Sequence, residues 1–235
     1  MSLFSKGRIL AFSGLDGAGK STQINLVIQS LSGAKRKPVY LWVRGGYTPV
    51  FVWFKDVLRA FSRGKALPKP GQSDRRKSTF KNPHKRRLWI LISIIDLILV
   101  YGIYLRFCVW RGRDIVCDRF LWDTAIDFEL NFPEENVERW LTWRLLQSVT
   151  PTPDVSFLLL IPVSESMRRS KLKFEPFPDS PEVLEKRLER YRTLNYDKVE
   201  IIDCMRPIDQ ISTDIHLRIG LEKHRAAFSD TTDAH

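Results

Sequence analysis

The segment Gly14-Leu15-Asp16-Gly17-Ala18-Gly19-Lys20-Ser21 matches the pattern GxxxxGK[ST] in full. An apolar run at residues 9–12 precedes it, and residues 23–31 follow with helical spacing of their apolar side chains. A buried strand, a glycine-rich turn and a helix form the context in which this motif binds phosphate. The turn exposes backbone N–H groups, and the helix directs its positive end at the same anion. The sequence therefore predicts a P-loop that binds a nucleoside triphosphate.

Each residue type in the P-loop has an expected task. Lys20 is expected to reach the β- and γ-phosphates, the hydroxyl of Ser21 to hold Mg²⁺, and Thr22 to contact the α-phosphate. ATP is the expected phosphoryl donor. The predicted ATP-binding residues are Gly14, Leu15, Asp16, Gly17, Ala18, Gly19, Lys20, Ser21 and Thr22.

Outward from the P-loop, apolar strand patterns alternate with helical ones along the chain. Strands are predicted at residues 9–12, 39–43, 115–117, 155–161 and 199–202, and helices at 23–31, 50–61, 88–109, 137–149, 181–194 and 208–221. Such alternation is typical of an α/β fold in which helices cover both faces of a parallel sheet. Ligands of such sheets bind beyond the carboxyl ends of the strands.

A second candidate element is Ile115-Val116-Cys117-Asp118-Arg119-Phe120, a short strand that ends in an acid and an arginine. A carboxylate at the end of a neighbouring strand can hold the Mg²⁺ shell, and the arginine can donate to a second phosphate. The alternative is an ordinary ion pair at the end of a strand, a common and weak interaction.

Composition restricts the partners and the compartment. Lysine and arginine give the 235-residue chain a net charge of +11, which favours anionic partners, and residues 62–87 form a basic insertion or an exposed loop. The three cysteines form no CxxC pair, so a reducing compartment is expected. The N-terminal residues carry no apolar secretion signal, and a cytoplasmic location is expected, either free or peripheral to the membrane.

Several motifs, in this order along the chain, resemble the thymidylate kinase family of P-loop nucleoside monophosphate kinases. The P-loop with its internal Asp16 is similar to the family's P-loop, and Asp118-Arg119-Phe120 to its Asp-Arg-Tyr element. Weaker similarities are Arg44-Gly45-Gly46-Tyr47-Thr48-Pro49, Lys173-Phe174-Glu175 and Ile201-Ile202-Asp203. The resemblance covers most of residues 7–220. It implies a P-loop NTPase three-layer sandwich with a five-stranded parallel sheet, as a single domain over residues 1–228 with a lid at 164–180 and a frayed tail at 229–235.

The resemblance also implies roles for individual residues in ATP- and Mg²⁺-dependent phosphoryl transfer. The implied catalytic residues are Lys20, Asp16, Arg119, Arg169 and Lys173; the implied acceptor-binding residues are Arg44, Asp118, Arg119 and Asp123; and the implied Mg²⁺ ligands are Ser21 and Asp118. Position 18 is alanine, so the catalytic cation is expected from the lid, where Arg168, Arg169, Lys171 and Lys173 are available. The alternative is that this basic cluster is simply solvated.

Two departures from the family pattern leave the acceptor open. The apolar stretch at residues 91–100 contains Asp96 but no arginine to read a pyrimidine base, and the loop after Arg44 is shortened. A nucleoside monophosphate such as dTMP is the expected acceptor. The alternatives are a kinase of the same scaffold that acts on a sugar or a lipid-linked small molecule, and a non-catalytic protein that binds ATP.

The apolar run at residues 88–105 also allows more than one interpretation. It is long enough to span a membrane, and Trp89 and Trp110 mark its ends as interfacial anchors would. Asp96 in its middle would be costly in lipid, which favours a buried helix or a homodimer interface. Weak contact of the protein with an anionic membrane stays a further alternative, and nucleic acid is not expected as a partner.

Overall fold

A computed structural model describes residues 6–43, 80, 82–172, 179–193 and 199–221. The helix predicted at 50–61, the basic residues 62–79 and the tail at 229–235 lie outside these ranges. The described strands are β1 (Ile9–Gly14), β2 (Val39–Trp42), β3 (Ile115–Asp118), β4 (Val155–Leu160) and β5 (Val199–Asp203). They form a five-stranded sheet in the order β2-β3-β1-β4-β5. All four pairings are parallel, which confirms the predicted α/β fold.

Strand β1 lies at the centre of the sheet, and every one of its residues is buried. It pairs with β3 on one side and β4 on the other. Phe12 is opposite Asp118 and Gly14 is opposite Leu159. The carboxyl ends of β1 and β3 therefore lie side by side, and the P-loop starts next to the Asp118-Arg119 turn.

The described helices enclose this sheet in the expected three-layer arrangement. They are α1 (Lys20–Gly33), α2 (Pro83–Trp110), α3 (Leu121–Asn131), α4 (Leu141–Val149), α5 (Val163–Leu172), α6 (Pro181–Thr193) and α7 (Ile208–Arg218). Helix α1 packs against α7, α2 against α4, and α3 against α6.

Helix α2 is the long apolar segment that the sequence predicted, and it begins earlier than expected. Asn82 caps it by accepting hydrogen bonds from the N–H groups of His84 and Lys85, and Pro83 occupies its first turn. Residues 83–87, assigned to the basic segment from the sequence, are thus helical. Residues Val100–Leu105 are π-helical and separate the α-helical parts Pro83–Leu99 and Arg106–Trp110. Within the described residues, this is the one helix long and apolar enough to cross a membrane, and 44% of its most apolar window is buried.

Other elements also differ from the sequence prediction, and α5 forms a helix at the start of the segment that was expected only as a lid. The helix expected at residues 137–149 is broken at Trp140, whose extended backbone separates a 3₁₀ turn at Val137–Arg139 from α4. Helix α3 was not predicted. It begins at the Asp118-Arg119 turn, where Asp123 accepts a hydrogen bond from the N–H of Phe120 and closes its first turn.

Candidate active site

The P-loop backbone adopts conformations that only glycine accepts readily. Gly14, Gly17 and Gly19 all have positive φ angles, of 139°, 80° and 87°. A Cβ atom on Gly14 would lie 2.0 Å from the carbonyl oxygen of Leu159 on β4. The first glycine therefore lets β1 and β4 pair closely at the point where the chain turns into the loop.

Lys20 is buried at the start of α1 and its ammonium lies inside the loop. Its Nζ donates to the carbonyl oxygens of Gly14 at 2.9 Å and Leu15 at 2.8 Å, and lies 3.6 Å from Oδ1 of Asp16. Burial, and then the charge of Arg119, lower the pKa of Lys20, while the carboxylates of Asp16 and Asp118 oppose that shift. The ammonium is thus held where the loop could present it to a phosphate.

Arg119 contacts the P-loop directly. Its NH2 lies 2.9 Å from Oδ1 of Asp16, a carboxylate that also faces Lys20. The backbone of Arg119 is left-handed, with φ 73°, and its N–H donates to the carbonyl of Phe12 at 2.8 Å. A non-glycine residue in this region is uncommon and costs free energy, so the surrounding contacts must hold the turn.

Asp118 precedes this turn and accepts a hydrogen bond from the neighbouring edge strand β2. The hydroxyl of Tyr40 on β2 donates to its Oδ2 at 3.0 Å. Burial, and then the charge of Asp118, raise the pKa of Tyr40 to about 12, so the tyrosine stays a hydrogen-bond donor at neutral pH.

Asp123 lies behind the turn rather than in the open site. The residue is only 1% exposed. Its Oδ2 accepts from the hydroxyl of Ser13 at 2.5 Å and from the N–H of Phe120 at 2.7 Å, and its Oδ1 accepts from the hydroxyl of Tyr191 at 2.6 Å. Burial raises the pKa of Asp123, and the charge of Arg119 together with these hydrogen bonds acts in the opposite direction. The carboxylate therefore joins β1, the Arg119 turn and α6, and both of its oxygens are engaged inside the protein.

A second buried ion pair links the same two helices. Arg187 on α6 lies 2.7 Å from Oδ1 of Asp127 on α3, and 3.5 Å from Asp179. With the bond from Tyr191 to Asp123, it gives α6 two buried polar attachments to the helix that follows the Arg119 turn.

Helix α5 forms the described base of the predicted lid and contacts the P-loop. The hydroxyl of Ser166 donates to the carbonyl of Asp16 at 2.6 Å, and NH1 of Arg169 donates to the carbonyl of Gly17 at 3.1 Å. Glu165 accepts from both Arg168 and Arg169, and hydrogen bonds from Arg168 and then Arg169 lower its pKa to about 2. Arg169 is thus at the loop, whereas Arg168 is exposed and engaged with Glu165.

The donor set around Lys20 fits a magnesium ion that binds together with a triphosphate. Ser21 lies in the first turn of α1 and is exposed, and the carboxylates of Asp16 and Asp118 both act on the charge of Lys20. Mg²⁺ in such sites takes one or two protein oxygens and completes its shell with phosphates and water. Among the described residues no group of three or more His, Cys, Asp or Glu side chains could hold a metal without that substrate.

The structure brings most of the predicted site residues together. Asp16, Lys20, Arg119 and Arg169 meet around the P-loop, while Arg44 and Lys173 lie outside the described residues. The sequence did not predict three residues of the site: Ser166, Tyr191 and Tyr40. Ser166 attaches the lid base to the site, and Tyr191 attaches α6 to it. Tyr40 is the second residue of β2, away from the carboxyl end of the strand, so its position in the sequence did not mark it. Nothing in the local sequence marks Tyr191, since its partner lies 68 residues away.

A central strand that runs into a P-loop, with an Asp-Arg turn on the adjacent parallel strand, defines a P-loop NTPase fold. Comparison with known proteins narrows this class. A thymidylate kinase of Desulfotalea psychrophila is 27% identical over 221 residues, which cover 91% of this chain and 94% of that protein. Proteins named probable thymidylate kinase from Pyrococcus abyssi and Pyrococcus horikoshii are each 30% identical over 48% of this chain and 54% of their own length. No family model matches the chain. The relatives support a divergent thymidylate kinase family, which confirms the resemblance and the assignment to nucleotide kinases.

Proposed function

We propose that this chain is a nucleoside monophosphate kinase that transfers the γ-phosphoryl group of ATP, with dTMP as the first candidate acceptor. The observation that carries the proposal is the cluster of Lys20, Asp16 and Arg119. One ammonium and one guanidinium there share a single carboxylate at the mouth of the P-loop. Two cations on either side of one loop match a reaction in which two phosphate groups must be held together. The relatives support a nucleotide as the acceptor. They give no support to the alternatives of a sugar or lipid-linked acceptor or of a non-catalytic protein.

In the proposed reaction an oxygen of the acceptor phosphate attacks the γ-phosphorus, and the bond from that phosphorus to the β–γ bridging oxygen breaks. The electron pair of that bond leaves with ADP. A monophosphate is already anionic at neutral pH, so the protein supplies charge and alignment rather than a base. Lys20 would exchange its carbonyl partners for the β- and γ-phosphates of ATP.

Arg119 would donate to the acceptor phosphate, and Asp16 would keep its guanidinium close to the loop. Arg169 would approach the transferred group from the lid base, since its NH1 already contacts the loop at Gly17. Arg44 and Lys173 are proposed as further contacts to the acceptor and the transferred group. Mg²⁺, held by Ser21 and Asp118, would offset negative charge on the phosphates when bound.

Asp123 takes a different role from the one expected from sequence. We assign it the task of holding the turn that presents Arg119, because it accepts the Phe120 N–H directly after that residue. It is a positioning residue and not an acceptor ligand. A cytoplasmic location accompanies the proposal, in keeping with three free, buried cysteines.

The test is to incubate the protein with ATP and Mg²⁺ and with each of a panel of nucleoside monophosphates and sugar phosphates. ADP release and the phosphorylated acceptor are then measured. Formation of a nucleoside diphosphate is expected. Arg119→Ala should lose acceptor use while ATP binding persists. The matched control is Arg190→Ala, which removes an exposed arginine paired with Glu129 and should change neither. ADP release that no nucleotide stimulates would refute the proposal.

A further inference from the structure

The edge strand β2 holds Asp118 by two hydrogen bonds. The N–H of Val43 donates to the backbone carbonyl of Asp118 at 3.0 Å, and the hydroxyl of Tyr40 donates to its carboxylate Oδ2 at 3.0 Å. The first bond continues the pairing of β2 with β3, whereas the second fixes a side chain at the candidate active site. The bond from Tyr40 is therefore the one that bears on the chemistry of the site.

Tyr40 reaches Asp118 along the sheet rather than directly across it. In the pairing of β2 with β3, Tyr40 is opposite Val116, two residues before Asp118. Side chains two residues apart on a strand point to the same face of the sheet, and the step between them is about 6.6 Å. A tyrosine is long enough to span this step with its hydroxyl, whereas the hydroxyl of a serine or threonine at the same position would fall short.

The bond from Tyr40 occupies one oxygen of Asp118 and leaves the other open. The described residues give Oδ1 of Asp118 no hydrogen bond, and the carboxylate is near enough to act on the charge of Lys20. Asp123, by contrast, has both of its oxygens engaged inside the protein. Asp118 thus presents one oxygen to the P-loop side of the site, in an orientation set by the bond at its other oxygen.

The number of free oxygens decides how a carboxylate binds a divalent cation. Ca²⁺ accepts a carboxylate through one oxygen or through both, in a large and flexible coordination shell. Mg²⁺ is smaller and requires nearly ideal octahedral geometry, and the two oxygens of one carboxylate are too close together to occupy neighbouring corners of that octahedron. A hydroxyl held on Oδ2 therefore restricts Asp118 to binding through one oxygen, the mode that suits Mg²⁺.

A tyrosine hydroxyl orients the carboxylate without neutralising it. A lysine or arginine in place of Tyr40 would also hold Oδ2, but its positive charge would repel a metal ion beside Asp118. Hydrogen-bond partners of this kind matter to metal sites, since removing one typically costs roughly 10–100-fold in metal affinity or activity. A neutral donor on a fixed strand is thus suited to support a metal ligand.

We propose that Tyr40 is a positioning residue that orients Asp118 to bind Mg²⁺ through Oδ1 and makes the site discriminate against Ca²⁺. This inference rests on the proposed function, in which Asp118 is a ligand of Mg²⁺. Tyr40 acts through Asp118 and contacts neither the metal nor a phosphate. Because Tyr40 is 52% exposed, water takes the place of its hydroxyl when it is removed. That water satisfies Oδ2 but does not fix the orientation of the carboxylate, so metal affinity should change while stability is nearly constant.

The experiment measures binding of a fluorescent ADP analogue to the full chain over a range of free Mg²⁺ concentrations and, separately, of free Ca²⁺ concentrations. In Tyr40→Phe the half-saturating concentration of Mg²⁺ should rise about tenfold. That of Ca²⁺ should rise less than about threefold, because Ca²⁺ can use both oxygens of the freed carboxylate. Binding of the analogue without metal should equal that of the wild type. The control is Tyr104→Phe on α2, which removes a hydroxyl of similar exposure, 44%, and should leave both metal concentrations unchanged.

A double-variant cycle tests whether the effect passes through Asp118. Asp118→Asn should itself raise the half-saturating concentration of Mg²⁺, and adding Tyr40→Phe to it should raise that concentration no further. Equal effects of Tyr40→Phe in both backgrounds would overturn the inference, and so would a Tyr40→Phe variant with the Mg²⁺ and Ca²⁺ dependence of the wild type. Either result would leave the proposed function intact, since formation of a nucleoside diphosphate tests that separately. Wild-type binding of the analogue that neither metal strengthens would overturn both the inference and the assignment of Asp118 to Mg²⁺.

Discussion

Replacing Tyr191 by phenylalanine tests whether the buried hydrogen bond between α6 and Asp123 stabilises the fold and the Arg119 turn. The hydroxyl donates at 2.6 Å to a carboxylate oxygen that is closed off from solvent. Its loss leaves that oxygen unsatisfied, at a cost of about 2 kcal/mol for a bond to a charged group. For a domain of this size, roughly 2–4 °C of melting temperature correspond to each kcal/mol, so a decrease of about 4–8 °C is expected.

The matched control is Tyr40→Phe. Tyr40 also donates to a carboxylate of the site, at 3.0 Å to Asp118, but it is 52% exposed and water can replace its hydroxyl. Its removal should cost less than about 1 kcal/mol. Thermal unfolding of the two variants beside the wild type measures the difference.

Enzyme kinetics test whether the hydrogen bond from Tyr191 also positions Arg119, because a loss of stability alone would not change turnover below the melting transition. Below its melting transition, Tyr191→Phe should turn over more slowly at saturating substrates and keep its KM for ATP, because the Arg119 turn is displaced while the P-loop is intact. Equal melting temperatures for Tyr191→Phe and wild type would refute the role of the buried bond. A changed KM for ATP with unchanged turnover would refute its connection to Arg119.

Three further predictions concern the P-loop and the lid base. Lys20→Met should abolish phosphoryl transfer in the coupled ADP assay while the protein keeps its circular dichroism spectrum. Gly14→Ala should not fold stably, because the new Cβ would lie 2.0 Å from a carbonyl oxygen of β4, whereas Gly19→Ala, with no atom within 4 Å of its Cβ, should fold with only the strain of its positive φ. Hydrogen bonds from Arg168 and its neighbour lower the pKa of Glu165 from 4.5 to about 2, so stability from this carboxylate is present above pH 4.5 and is lost as pH falls towards 2. Urea unfolding at both ends of that range should show a smaller loss for Glu165→Gln, and an equal loss would mean that Glu165 does not contribute.

The sequence predicted the sheet well because its signals are local. Each strand is a short apolar run, and the glycine spacing around Lys20 specifies both a conformation and a ligand. The pairing of the Asp118-Arg119 turn with the P-loop also followed from the sequence, since carboxyl ends of neighbouring parallel strands meet at one edge.

What the sequence did not reveal depends on contacts between distant residues. The roles of Asp123 and Tyr191 come from a hydrogen bond between two helices, and an acid beside the Asp-Arg element was interpreted as an acceptor ligand. The break at Trp140 was hidden because the flanking residues keep helical spacing. Helix α3 was missed because its buried positions include the acids Asp123 and Asp127, which interrupt the apolar pattern that marks a buried helix.

The left-handed backbone at Arg119 also matters to anyone who engineers this protein for heat resistance. Positive φ angles are inexpensive for glycine, so a survey of the backbone would select Arg119→Gly as a substitution that relieves local strain. Such a variant would also remove a buried guanidinium that pairs with Asp16 and lies near the carboxylate of Asp123, and this loss costs more free energy than the strain it relieves. Position 119 should therefore be held fixed in any library.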